Sequence, residues 1–221
     1  MDWILDYPVN VGAEIFRLLP DGIIIITGAF SLLTANYAYG ILFASLIESL
    51  GIYSVTSKLA NYLKIFSNHR SDDSYTQKCI TGFRSPTLET VSLFAGLSPS
   101  TFPSAPVFIM AVLSSYIYNS LSTQIAELEA LGTEHASRFY LSAIFLGIFL
   151  FTFSLFRLFA NCDTFGSILL SLLMGLLVGA ALIAQNNALF GPQGINLLGI
   201  PLLKNRTEDG SPLYICPTKG S

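Results

Sequence analysis

Charge is scarce in this chain. Only 11% of its 221 residues are Asp, Glu, Lys or Arg, less than half the roughly 25% of a soluble domain, which excludes an ordinary soluble fold. A basic face is missing too: the formal net charge is −3, whereas a nucleic-acid binder concentrates Lys and Arg on one surface. Histidine is limited to His69 and His135, and cysteine to Cys79, Cys162 and Cys216, an odd number with no CxxC pair. Neither a zinc site nor a disulfide framework is expected from that spacing, and no cofactor either. The two histidines, distant in sequence and on opposite predicted sides of a membrane, do not form one site, so no enzyme is expected. Residues 1–10 carry Asp2 and Asp6 with no basic residue before Arg17, unlike a secretory signal peptide; the first span is expected to stay as an anchor. The paired halves with broken helices that mark many transporters are also lacking.

What the chain has is long apolar runs. No charge lies between Asp21 and Glu48, Glu89 and Glu127, Arg138 and Arg157, or Asp163 and Lys204. Each gap holds a span of about 20 residues, the third being shortest with 18. The expectation is an all-α, multi-pass membrane protein with four transmembrane helices, an amphipathic interfacial helix and a small hairpin-like C-terminal cap.

In order, 1–20 reads as an interfacial segment anchored by Trp3 and Tyr7 at headgroup level, and Pro20-Asp21-Gly22 turns the chain into span one within 21–50. Counting about 1.5 Å per residue from Gly22, a core of about 30 Å ends near Leu42, which makes Glu48 interfacial. The hydrophilic loop 51–89 holds five of the eleven basic residues and is placed on the cytosolic side by the positive-inside rule. Its first part, 52–66, reads as an amphipathic helix. Pro99, Pro103 and Pro106 form an elbow within 90–125 that cannot continue a helix, so span two starts near Pro106. An acidic loop, 126–138, lies opposite the basic one. Residues 139–187 form a helical hairpin of spans three and four, and 188–221 a cap around an Asp209-Gly210 turn. Asn205-Arg206-Thr207 is an N-glycosylation triplet.

Two features of that hairpin stand out. Ser167, Ser171, Gly175 and Gly179 recur every fourth residue and so share one stripe of span four, while leucines fill the rest of its surface. Such a stripe permits close helix approach in lipid. Because seven residues, 157–163, connect the two spans, the seam is expected to face Ala143 and Gly147 of span three within one chain rather than serve as a dimer motif. At the connection, Arg157 and Asp163 fall at one membrane end and are expected to pair, with Asn161 capping the next helix. No His or Lys base lies near Cys162.

Several motifs together, Pro20-Asp21-Gly22, Gly82-Phe83-Arg84, Phe102-Pro103-Ser104-Ala105-Pro106, Glu127-Leu128-Glu129-Ala130-Leu131-Gly132, Cys162-Asp163-Thr164-Phe165-Gly166, Phe190-Gly191-Pro192-Gln193 and Asn196-Leu197-Leu198-Gly199-Ile200-Pro201, resemble a family of uncharacterised membrane proteins of large double-stranded DNA viruses. The resemblance implies no catalytic residue. It implies a location, the internal membrane beneath an icosahedral capsid, and a structural role there. The expected partners are the lipid bilayer, capsid or other membrane proteins, and a homo-oligomer, with no nucleic acid. The alternative is a small oligomeric channel or transporter using Asn36, Glu48 and Gln185-Asn186-Asn187.

Overall fold

A computed structural model describes residues 3–34, 36–62, 79, 103–125, 128 and 133–199. The regular elements among the described residues are all helices: α1 Trp3–Thr34, α2 Tyr37–Tyr62, α3 Ala105–Ser122, α4 Thr133–Phe159 and α5 Phe165–Gly194. All five contain a stretch long and apolar enough to cross a membrane, one more than the four expected from the charge-free gaps.

The extra helix comes from span one, which is a hairpin and not a single rod. Thr34 Oγ1 turns back to Phe30 O, 2.7 Å away, and the Asn36 carboxamide accepts from Ala38 N at 3.1 Å. Asn36 thus acts as the N-cap of α2, satisfying an orphan amide that lipid could not. Small residues close the hairpin: a Cβ built on Gly40 would lie 2.9 Å from Ser31 Oγ, and one on Gly28 3.0 Å from the Phe43 ring. The other end of this run also departs from expectation. α1 continues helical through Pro8 and Pro20, so the turn expected at Pro20-Asp21-Gly22 is absent. Each proline removes one helix hydrogen bond, a loss that membrane helices absorb by local adjustment and neighbouring groups.

Alternating directions place the two ends of the bundle. Residues 34, 36, 37, 122–125 and 194–199 gather at one end, here called the turn end; Ser104 and 159–165 lie at the other, the clamp end, which Tyr53 of α2 also reaches. Phe16 of α1 stacks on Phe156 of α4 with centroids 4.9 Å apart, which sets the beginning of α1 toward the clamp end.

α3 is the post around which the rest is built. Its residues Ala105 to Tyr116 are buried without a break, and all four other helices touch it. Ile24, Leu42, Leu46, Tyr53, Leu182 and Ile183 enclose its Phe108, Ile109, Val112 and Tyr116. Phe153 and Ile168 cover Val107 and Met110. The outer surface is apolar: Leu32, Leu33, Ile144, Phe145, Phe151 and Leu177 are more than half exposed. In lipid such side chains have no reason to turn inward, so helix association rests on close packing and hydrogen bonds.

Candidate functional site

The ladder on α5 closes on α3. Ser167, Ser171, Gly175 and Gly179 are all buried. A Cβ built on Gly175 would sit 2.6 Å from both Phe108 O and Ala111 Cβ, and one on Gly179 2.6 Å from Val112 O. No real Cβ tolerates such distances, so glycine is required for the backbones to meet. Ser115 Oγ uses that proximity to donate to Leu176 O at 2.8 Å.

The contacts climb both helices together. Gly175 meets Phe108 and Ala111, Gly179 meets Val112 and Ser115, Asn186 meets Tyr116, and Ser120 Oγ donates to Ile195 O at 2.5 Å. α3 and α5 are therefore parallel, with α4 as the return between them. This corrects the expected pairing of the ladder with Ala143 and Gly147: Gly147 is exposed, a Cβ there would meet nothing within 4 Å, and Ala143 is half-buried. The physical reason is the side chains on offer. α3 presents Ala111 and Ser115, which admit a neighbouring backbone, whereas α4 carries Phe145, Phe149 and Phe151, which lipid accommodates without cost.

Arg157 and Asp163 anchor the clamp end. Arg157 Nε lies 2.6 Å from Asp163 Oδ2, and both side chains are more than nine-tenths enclosed. Ser104, just before α3, donates to the same carboxylate oxygen at 2.8 Å, and Arg157 Nη1 donates to Cys79 O at 3.1 Å. One ion pair therefore joins the end of α4, the connection to α5, the start of α3 and Cys79. The hydrogen bonds matter, because a buried pair repays its desolvation only when its remaining polar atoms are satisfied.

Local geometry makes the clamp possible. Asn161 adopts the left-handed region, φ 54°, and ends α4 with Cys162 N bonded to Arg157 O and Asn161 N to Leu158 O, both 3.0 Å, the paired C-terminal motif that such a residue permits. The cap of α5 is Thr164, whose hydroxyl accepts from Ser167 N at 3.3 Å, and not the expected Asn161. Cys162 is bonded to Cys79 in a disulfide, a further correction to the expectation of no bridge. Nearby on α1, Arg17 is buried and holds Glu14 at 2.5 Å. The Tyr53 hydroxyl donates to Pro103 O, tying α2 to the start of α3.

A second polar layer lies nearer the turn end. Asn186 Nδ2 donates to Ser45 Oγ at 2.7 Å and to Tyr116 OH at 2.9 Å, joining α5, α2 and α3 in the interior. Gln185, one residue earlier, points the other way and donates to Glu48 at 3.3 and 3.4 Å. Both are exposed on the outer surface. Glu48 is well inside the apolar stretch Tyr37–Ala60, not at its edge as the count from Gly22 implied, because the chain has already reversed at Asn36. Of the residues read as a candidate conduction path, Asn36 caps a turn, Asn186 faces inward and Glu48 with Gln185 faces out, so they do not line one passage within a single copy.

Among the described residues no group of three or more His, Cys, Asp or Glu is placed to hold a metal ion. Residues 63–78, 80–102 and 200–221, with the rest of the proposed amphipathic helix, the glycosylation triplet and the C-terminal hairpin, lie outside the described residues, as do Glu127 and Glu129. Sequence reasoning missed Ser104, Tyr116, Ser45 and the Cys79 to Cys162 bridge. Set beside known proteins, the chain matches no family model, no curated protein and no solved structure.

Proposed function

We propose that this chain is a structural, non-enzymatic membrane protein: a rigid bundle that holds its place in a bilayer and offers its connecting segments to capsid or other membrane proteins, in the internal membrane of a large DNA virus. The observation that carries this reading is the enclosure of α3. A protein that carries solute alternates between arrangements of its helices; backbone contact at Gly175 and Gly179, together with a disulfide and a buried ion pair at one end, opposes such a change. Fractionating purified particles with mild detergent tests the role. Recovery with the particle membrane, released only when lipid is stripped, is the expected result; recovery from infected-cell membranes alone would contradict it.

The bridge also favours an orientation. Disulfides persist where glutathione does not keep thiols reduced, so the clamp end, where Cys79 and Cys162 are joined, is read as facing the oxidising side. That opposes the placement drawn from the basic residues, and a membrane-impermeant reagent directed at Lys64 or Lys78 in sealed vesicles of known orientation decides between them.

An oligomeric channel is the second reading, favoured by the outward-facing Glu48 and Gln185. Ion flux through liposomes that is lost in Glu48→Gln would establish it over the scaffold.

A further inference from the structure

We infer that the face around Glu48 and Gln185 is where a second copy of this chain binds within the bilayer. Glu48 lies eleven residues after Tyr37 and twelve before Ala60 in the apolar stretch of α2, which puts it about 17 Å from either end at 1.5 Å per residue. Gln185 on α5 touches Glu48 and so lies at the same depth, six residues before the backbone leaves helical geometry at Gly191. Both are therefore near the middle of a hydrocarbon core about 30 Å thick, and both point out of the bundle. Carboxyl groups at such depth face a protein interior or a water-filled cavity, because lipid supplies no hydrogen bonds. Glu48 faces the outside of one copy, so the interior it belongs to is that of an assembly.

The pair identifies the occupant. Gln185 Nε2 is shared between the two Glu48 oxygens at 3.3 and 3.4 Å, longer than a well-formed bond of about 2.9 Å. One amide N–H, the amide oxygen and carboxylate lone pairs are then left for another group. The patch holds donors and acceptors together and is thus self-complementary: a two-fold axis passing close to it sets each Gln185 against the other copy's Glu48, as an isologous interface requires. The surrounding relief allows close approach. Ala44 and Gly51 flank Glu48 at one helical turn, Ala181 and Ala188 flank Gln185, and all four are exposed; a Cβ on Gly51 would meet nothing within 4 Å. The same combination of small residues and a polar group closes α3 on α5 inside the bundle.

This association stands apart from the scaffold reading, since it concerns the copy number and not what the assembly does. Two measurements on the full chain in phosphatidylcholine liposomes test it. Dilution of labelled chain into excess lipid, followed by energy transfer, is expected to show dimers whose dissociation constant rises at least tenfold in Glu48→Leu, while Glu48→Gln, which keeps the hydrogen bonds, stays within about threefold. Because Glu48→Leu could disturb folding, the second measurement leaves the pair intact. In a Cys216→Ser background, Ala44→Cys is expected to oxidise to a covalent homodimer and Ile144→Cys, exposed on α4, is not. Wild-type chain that is monomeric at every lipid ratio, association unchanged in Glu48→Leu, or an Ala44→Cys chain that links no more than Ile144→Cys would each overturn the inference.

Discussion

α3 and α4 follow one another in the chain and occupy opposite surroundings. The stretch of α3 long and apolar enough to cross a membrane is 72% buried and that of α4 only 17%, yet α3 is the less apolar of the two. α3 carries Ser114, Ser115, Ser120, Ser122 and Asn119; α4 carries Phe145, Phe149, Phe151 and Phe153. In water the more apolar helix would be drawn to the centre. A bilayer removes that drive and rewards hydrogen bonds and close backbones in the interior instead, so the helix richest in serine became the core. Phe153 shows the boundary, since it is the α4 phenylalanine that is fully buried, on the side where α4 turns toward α3.

Substitutions break this contrast at graded points. The largest effect is expected where α4 does reach the centre: Arg157→Met strands Asp163 and Ser104 in a buried place, and loss of one partner of a buried pair costs about 3–5 kcal/mol. The unfolding midpoint in mixed micelles measures it, with Arg138→Met, exposed near the other end of α4, unchanged. Next comes the bridge. Cys79 and Cys162 are separated by 83 residues, and opening a loop of that size costs about 2–4 kcal/mol, toward the low end because membrane insertion already restrains the unfolded chain. Cys162→Ser should lower the midpoint accordingly and abolish the mobility difference between reduced and unreduced gels.

Much of this was legible in the residues because charge marks where helices leave a membrane. Arg157 and Asp163 were readable as a pair since few residues separate them and both had to lie at one end. The ladder was readable from its period. Its partner was not: a short connection makes two helices consecutive, but cannot say whether a third helix, here α3, will wedge between their faces. Asn36 gave no warning because a lone Asn inside an apolar run can as well face a neighbour as cap a turn, and no charge, proline or glycine stood beside it. The misplaced turn then moved Glu48 from the membrane edge to mid-span. Cys79 lies far from Cys162 in sequence, and only the arrangement of helices brings them within 5.2 Å between Cα atoms.

The central claim is that α3 is held by backbone contact with α5 while α4 faces lipid. It is tested most directly by one methyl group placed at two glycines. Gly175→Ala drives a Cβ into Phe108 O and Ala111 Cβ and is expected to lower stability by about 1–3 kcal/mol, the cost of overpacking. Gly147→Ala meets open space and is expected to be neutral or to add up to about 1 kcal/mol from helix propensity. Unfolding both variants beside the parent chain in the same micelles gives the answer: a fall at Gly175 with none at Gly147 is the predicted result, and equal responses at the two positions would contradict it.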